Sequence, residues 1–313
     1  MNNELYPMNT AELMDRAVHV YKKSFGKQLA FAAIFGVISY LASIFLLIIL
    51  IAFGATFAVF ATAPLFDTTV GGGAVLGMIL LGLAIILPFA FLWYAVSSAG
   101  HIVIAGPAFF GYSAKIPVGQ LPRIACRIFG ALIAQAIASL PFVGLVVLGA
   151  WSGFAGFMMY NAPWILVLLS LILVVAFLVY LNVFSLAVAV AVFERKTFFN
   201  ALGRSWQLIR GEFWKVAGTR LIWTLVVIVI GMSLSGGLAL VNVLVTLLVT
   251  TLDLGMAGIM IATITSMIVG LLSIATAFLV APLSGVFYTT LYFNQRIKKE
   301  GFDIEVRLER LLT

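Results

Sequence analysis

The sequence predicts an all-α integral membrane protein: a bundle of six transmembrane helices, with amphipathic interfacial helices preceding helices 1, 3 and 5. Two observations carry that reading. The first is composition: hydrophobic residues fill 64% of the 313 positions and charged residues only 9%, with a mean hydropathy of +1.19. Charged residues run near a quarter in soluble domains, and a soluble core of this size would lack the polar surface to cover it. The second is where the charges lie. All 18 Lys and Arg residues fall within 1–27, 115–127, 195–220 and 296–310, and the segments near Asp67, Asn161 and Asp253 carry none. Loops rich in Lys and Arg stay cytoplasmic. Both termini are therefore expected inside, and three short hairpin tips outside, in a multi-pass protein of the plasma (inner) membrane.

Charge-free runs cover 28–66, 68–114, 128–193, 221–252 and 254–295, and a spanning helix needs about 20 apolar residues. The run 128–193 holds two spans, broken at 160–163, where Asn161 and Pro163 supply turn chemistry. The expected spans are 28–62, 74–104, 129–155, 164–193, 218–250 and 257–295. The chain then divides into an N-terminal amphipathic helix (1–27), a six-span domain (28–295) and a charged cytoplasmic tail (296–313). Pro88 and Pro282 lie inside the second and sixth spans, where a lost hydrogen bond and a steric clash predict kinks.

Segment 11–25 has helical periodicity. Leu13, Met14, Ala17, Val18, Val20, Tyr21 and Phe25 fall on one side, and Glu12, Asp15, Arg16, His19, Lys22 and Lys23 on the other. Asn9 and Glu12 have the spacing of an N-cap and its N3 partner. The first 26 residues thus read as an interfacial helix that lies along the inner surface before the chain turns into the first span, rather than as a removed signal peptide. Arg16, Lys22, Phe25 and Lys27 recur at the same offsets as Arg204, Arg210, Phe213 and Lys215, before the fifth span. A weaker echo, Arg123, Arg127, Phe129 and Gly130, precedes the third. The pattern suggests a threefold repeat of a basic surface helix followed by a helical hairpin.

The net charge of +7 sits beside the spans, which favours anionic membrane lipids, at roughly 1 kcal/mol per residue near the surface, over nucleic acid. The single cysteine, Cys126, cannot form an intramolecular disulfide. With two histidines, His19 and His101, and one cysteine, no multi-ligand His/Cys metal site can be assembled, so neither a metal nor another cofactor is expected. Ionisable residues within the spans are scarce, His101 being the one candidate, which argues against a proton-coupled relay. His101, Gln135, Asn182, Ser185 and Asn242 are candidate members of an intramembrane polar cleft, as are Ser97 and Ser98. The competing reading is hydrogen bonding between helices, at about 0.6 kcal/mol each.

Other motifs have plainer readings. Gly149 with Gly153, and Ala187 with Ala191, have small-residue spacing suited to close helix contact. Trp151, Trp164, Trp214 and Trp223 fit interfacial aromatic belts. Gly71–Gly73 lacks the following cation of a phosphate-binding loop. A lipid-active site at the inner surface using Glu194, Arg195 and His19 is conceivable, a reading set below the non-enzymatic one.

Three stretches carry a resemblance: Ala11 to Arg16 (AELMDR), Ala201 to Trp206 (ALGRSW), and Leu291 to Arg296 (LYFNQR) continuing through Lys299 to Asp303 (KEGFD). With them the chain resembles the bacterial membrane-domain family named after glycerophosphoryl diester phosphodiesterase. Some members of that family fuse the membrane domain to a hydrolase barrel, which needs on the order of 250 residues; no polar segment here approaches that length. The resemblance implies a stand-alone six-span membrane domain in a bacterial plasma membrane, with no catalytic residues to carry over.

The leading expectation is a non-enzymatic membrane protein that binds or translocates a lipid or lipid-like molecule. Arg16, Lys22, Arg123, Arg127, Arg204 and Arg210 would contact its headgroups. The alternative is an accessory subunit scaffolding a hydrolase, exporter or envelope complex, with a protein partner docked on the tail through Ile304, Val306, Leu308, Leu311 and Leu312. A small-solute transporter ranks below both, for want of charged groups inside the spans.

Overall fold

The structure, a computed structural model, describes residues 5–61, 92–112, 119, 122–137, 168, 171–172, 175–176, 179–180 and 182–304. The described secondary structure is helical, with no strand among the described residues. We number the helices α1 (Thr10–Ala61), α2 (92–109), α3 (122–137), α4 (Ala187–Phe193), α5 (Phe198–Ile209), α6 (Phe213–Thr251) and α7 (Gly255–Glu300). By length and composition, four candidate membrane spans are present: Thr10–Ile49, Leu92–Phe109, Phe213–Thr251 and Gly255–Glu300. Most of the second and third expected spans and part of the fourth lie outside the described residues, as do Pro88, Gly71–Gly73, Gly149, Gly153, Trp151, Trp164 and tail residues 305–313.

The predicted start of α1 is present. The Asn9 carboxamide oxygen accepts from the Glu12 N–H, and the Glu12 carboxylate accepts from the Asn9 N–H, both at 2.9 Å. Two N–H groups that a helix start leaves open are thereby satisfied. The surface helix expected at 11–25 does not turn into a separate span, however: α1 runs through Phe25 and Gly26 without a break to Ala61. In the second segment the chain does break, two residues before Phe213, where Gly211 takes φ +92° after the end of α5. The two segments therefore share side-chain spacing but not backbone path, since only Gly211 uses the left-handed conformation that terminates a helix.

At about 1.5 Å per residue, α1 is about 78 Å long and α7 about 69 Å, well beyond an apolar membrane core of about 30 Å. Burial shows how the surplus is used. Buried side chains concentrate at the basic ends, from Leu13 to Ala32 in α1, Ala95 to Phe109 in α2, Ile124 to Ala134 in α3, Val216 to Trp223 in α6 and Leu283 to Ile297 in α7. Beyond them, apolar side chains such as Val37, Leu41, Val229, Leu244 and Leu271 are exposed. The molecule thus has a packed base and long apolar arms.

Helix α7 organises the base, packing on α1, α4, α5 and α6. Two glycines permit close approach: a Cβ on Gly285 would lie 2.6 Å from the His101 Cβ, and one on Gly36 would meet the Phe278 ring. Ala187 and Ala191 are buried in α4, in keeping with the close contact their spacing predicts. Pro282 sits inside an uninterrupted α7, and in the turn preceding it the Leu279 carbonyl accepts the Tyr21 hydroxyl at 2.8 Å.

The C-terminal end of the fourth expected span departs from a straight helix. A turn at 184–186 precedes α4, with the Ala187 N–H bonded to the Phe184 carbonyl at 3.1 Å. The Val183 carbonyl, released by that turn, accepts the Ser205 hydroxyl at 2.9 Å, so the break docks α5. Trp223 also differs from expectation. It is 5% exposed and stacks on Phe287 at 4.9 Å between ring centroids, inside the base, whereas Trp214 is 80% exposed.

Ahead of α1 the chain is pinned to α7 by one side chain. The Asn294 carboxamide accepts from the Met8 N–H at 2.9 Å and donates to the Met8 carbonyl at 3.2 Å. Asn294→Leu should strand both backbone groups, at about 1–3 kcal/mol for each that stays buried. The expected outcomes are a melting temperature several degrees lower in detergent and faster proteolysis before residue 10.

Orientation has its own check once the exposed Cys126 is replaced. Leu252, 58% exposed in the α6–α7 turn, is expected outside. Its cysteine variant should react with an impermeant thiol reagent added to intact cells, and one at exposed Gln207 should not. Reversed labelling would overturn the inside assignment of the base.

Candidate functional site

The structure gathers residues from all four basic segments at the base, where many of the cations serve the ends of neighbouring helices. Arg16 donates to the Phe109 carbonyl at 2.9 Å and lies over the Phe109 ring at 5.3 Å, while Lys23 donates to the Gly111 carbonyl at 2.8 Å. Both carbonyls lie at the C-terminus of α2, where the helix leaves acceptors open and its dipole is negative. Lys299 does the same for α5, donating to the Arg210 carbonyl and, at 3.4 Å, to that of Gln207.

A network of charges lies between the 194–197 loop, α5 and α7. Arg204 Nε donates to both Glu194 oxygens, at 2.8 and 2.9 Å, and its Nη2 pairs with Glu300. The Tyr292 hydroxyl donates to Glu194 at 3.0 Å, Lys196 lies 3.2 Å from the same carboxylate, and Arg296 holds Glu300 at 3.0 Å. Burial by itself raises the Glu194 pKa, but the hydrogen bonds from Arg204, Lys196 and Tyr292 outweigh it and hold the carboxyl below its ordinary 4.5. For Arg204 burial acts to lower the pKa, and Glu194 and Glu300 raise it overall. The group Glu194, Arg195 and His19, considered above as an active site, is not assembled in that form. Glu194 is spoken for by this network, Arg195 is exposed at φ +58°, and His19 is exposed on α1.

The residues expected to contact headgroups separate into two sets. Lys22, Arg123 and Arg210 are exposed and Arg127 is half-buried. Arg16 is 8% exposed, and Arg204 is held by two carboxylates, so these two serve the interior of the base.

The five polar-cleft candidates likewise do not meet in one cleft. His101 is buried against Gln28, with Nδ1 2.7 Å from its carboxamide oxygen; Gln28 in turn donates to the His101 carbonyl at 3.0 Å. The Phe31 ring packs on the histidine edge-to-face at 5.1 Å. Gln135 offers its backbone carbonyl to the Tyr180 hydroxyl at 2.6 Å. Asn182 accepts from Arg220 at 3.0 Å, and the nearby Ser185 hydroxyl is buried without a hydrogen-bond partner. Asn242 accepts from Ser266 of α7 at 3.2 Å. It lies 22 residues along α6 from Arg220, about 33 Å at the helical rise. His101, Asn182 and Asn242 thus make side-chain bonds to other segments of the chain, the reading set against the cleft from the start, whereas the Gln135 contact is through its backbone and Ser185 makes none.

One polar cluster escaped the sequence reading. Arg220 sits within α6, donates to the Tyr288 hydroxyl at 2.9 Å as well as to Asn182, and lies over the Tyr288 ring. Its signal was present in the sequence, since Arg220 falls inside the expected fifth span, where charge is costly and partnered.

The network around Glu194 predicts a pH dependence. A carboxyl whose folded pKa is lowered contributes stability that is fully present above 4.5, its ordinary value, and is lost as pH falls through the lowered one. Glu194→Gln should therefore lower the melting temperature by a few degrees at pH 7, about 1–3 kcal/mol for weakened charge-assisted bonds. The gap to wild type should close as the pH drops below 4.5. A gap that stays constant down to pH 3 would remove the carboxylate's role.

Neither the curated proteins nor the solved structures include a match to this chain. A family model described as the membrane domain of glycerophosphoryl diester phosphodiesterase matches residues 155–309, a range that takes in α4 to α7 with Glu194, Arg204, Tyr292 and Asn294. The family that the chain's motifs resemble and the family matched over residues 155–309 are thus one and the same, the membrane domain of glycerophosphoryl diester phosphodiesterase.

Proposed function

We propose that this protein is a non-enzymatic membrane module that binds lipid at its base, with anionic headgroups held by exposed cations and acyl chains lying along the apolar arms. The observation that carries this reading is the adjacency of the two surfaces. Lys22, Arg123 and Arg210 are exposed on the base. Large apolar side chains are exposed farther along α1, which carries Lys22, including Ile38 and Phe45, at Ile137 of α3, which carries Arg123, and along α6, which follows Arg210 in the chain, including Val226 and Val243. Cations beside an apolar surface suit an amphiphile with an anionic head. The long, nearly charge-free α6–α7 hairpin gives a bound lipid a continuous apolar flank.

The test is the combined variant Lys22→Gln, Arg123→Gln and Arg210→Gln, reconstituted in nanodiscs of phosphatidylcholine doped with phosphatidylglycerol. Wild type should enrich phosphatidylglycerol in its retained lipid, and the enrichment should weaken with added salt. Each cation near a charged surface is worth roughly 1 kcal/mol, so the triple variant should lose tenfold or more. Unchanged enrichment would remove the headgroup role from these residues.

A further inference from the structure

The α6–α7 hairpin carries a polar group at a depth where a membrane holds no water. Asn242 lies ten residues before Leu252, which caps α6, and so about 15 Å from the hairpin tip at the helical rise. An apolar core of about 30 Å places it near mid-depth. It is half-buried, and its carboxamide oxygen accepts from the Ser266 hydroxyl of α7 at 3.2 Å. No described residue accepts from its amide N–H groups. In hydrocarbon an unpaired amide is costly, and only another protein group can satisfy it.

The surface around this amide suits close approach by another helix. The helical period places Ala239, Asn242 and Thr246 on one flank of α6, with Thr263, Ser266 and Gly270 on the flank of α7 beside it. The Asn242–Ser266 bond joins the two flanks. Apart from Asn242 these residues are exposed, and a Cβ on Gly270 would meet nothing within 4 Å. The Thr246 and Thr263 hydroxyls turn back on their own helices, to the Asn242 and Ile259 carbonyls at 2.9 and 2.8 Å. They present methyl groups outward and leave the Asn242 amide as the open donor. Small side chains at such a depth let transmembrane backbones come close, and asparagine bonds across helices there.

We infer that this flank is the interface of a homodimer, in which the hairpins of two copies of the chain meet at Asn242. Symmetry and hydrogen-bond chemistry select a second copy as the occupant. Two copies inserted in the same orientation are related by a twofold axis along the membrane normal, so equivalent residues meet at equal depth. A carboxamide both donates and accepts. Asn242 can therefore donate to the oxygen of the partner's Asn242 and accept in return, while each oxygen keeps its Ser266 bond on the other lone pair. An acyl chain has no acceptor to offer the amide. One self-paired asparagine within an apolar helix interface also fixes register. Lys22, Arg123 and Arg210 take no part in this contact, so it stands or falls apart from the lipid-binding role of the base.

Disulfide trapping of the full chain in native membranes tests the assignment, on a Cys126→Ser background. Ala239→Cys and Thr246→Cys should each give an oxidised dimer with iodine. Leu244→Cys, 62% exposed on the opposite side of α6, should stay monomeric. Single-molecule photobleaching in phosphatidylcholine bilayers then gives the dissociation constant of the dimer. An interhelical hydrogen bond in a membrane is worth roughly a factor of three, so losing two through Asn242→Leu should weaken association about tenfold. Asn242→Gln, which keeps the amide, should keep the dimer. Trapping at Leu244→Cys as readily as at Ala239→Cys overturns the interface, and so does a chain that stays monomeric at all three positions. A dissociation constant unchanged by Asn242→Leu overturns it as well. Should Asn242→Leu fail to elute as a folded species, the trapping pattern, obtained with Asn242 in place, decides the question.

Discussion

The base of this bundle depends on a guanidinium held between two carboxylates. Arg204 joins Glu194, which ends α4, to Glu300, which ends α7, and so ties a 12-residue helix to both. A helix that short is marginal in water by itself, and α5 forms no side-chain cap at its start. Its position comes instead from Arg204, from Ser205 on the Val183 carbonyl and from Lys299 on its last carbonyls. Removing the guanidinium would leave Glu194, 13% exposed with Arg204 in place, with only Lys196 and Tyr292 to hold it, a costly state for a largely desolvated charge.

The same economy of cations recurs at α2, whose last carbonyls are met by Arg16 and Lys23. Helices that stop where the membrane gives way to water leave acceptors open, and a basic segment on a neighbouring helix is well placed to fill them. Such segments are required near the inner surface for topological reasons alone. Part of the basic charge of this chain is thereby spent inside the protein, and part remains for an external anion. Burial and hydrogen bonding divide the two sets, and spacing along the chain does not.

The polar groups of the helices follow a parallel logic. His101 with Gln28, Asn182 with Arg220 and Asn242 with Ser266 each join two segments of the chain. In an apolar medium an unpaired polar side chain has no water to turn to, so such groups find partners on whatever helix lies opposite. Among the described residues, buried side-chain atoms of Ser185, Glu212, Trp223 and Gln295 depart from that pattern, whereas Asn294, one residue from Gln295, has both ends of its carboxamide bonded.

Much was legible from local chemistry. The Asn9–Glu12 pair, the turn near Asp253 and the long apolar runs are all written in neighbouring residues. The family resemblance was legible too, and its tail motif turns out to hold Tyr292 on Glu194, Asn294 on Met8 and Arg296 on Glu300. Other features were not legible, because they depend on residues distant in sequence. Nothing in the local pattern distinguishes Trp223, stacked in the base, from Trp214 on the surface, or Gly26, which stays helical, from Gly211, which ends a helix. The sequence by itself determined that this chain is helical and apolar with its cations in four clusters, since periodicity and charge are local quantities. Only the tertiary structure decided which of those cations are consumed by carbonyls and carboxylates, since that depends on which helix ends meet in space.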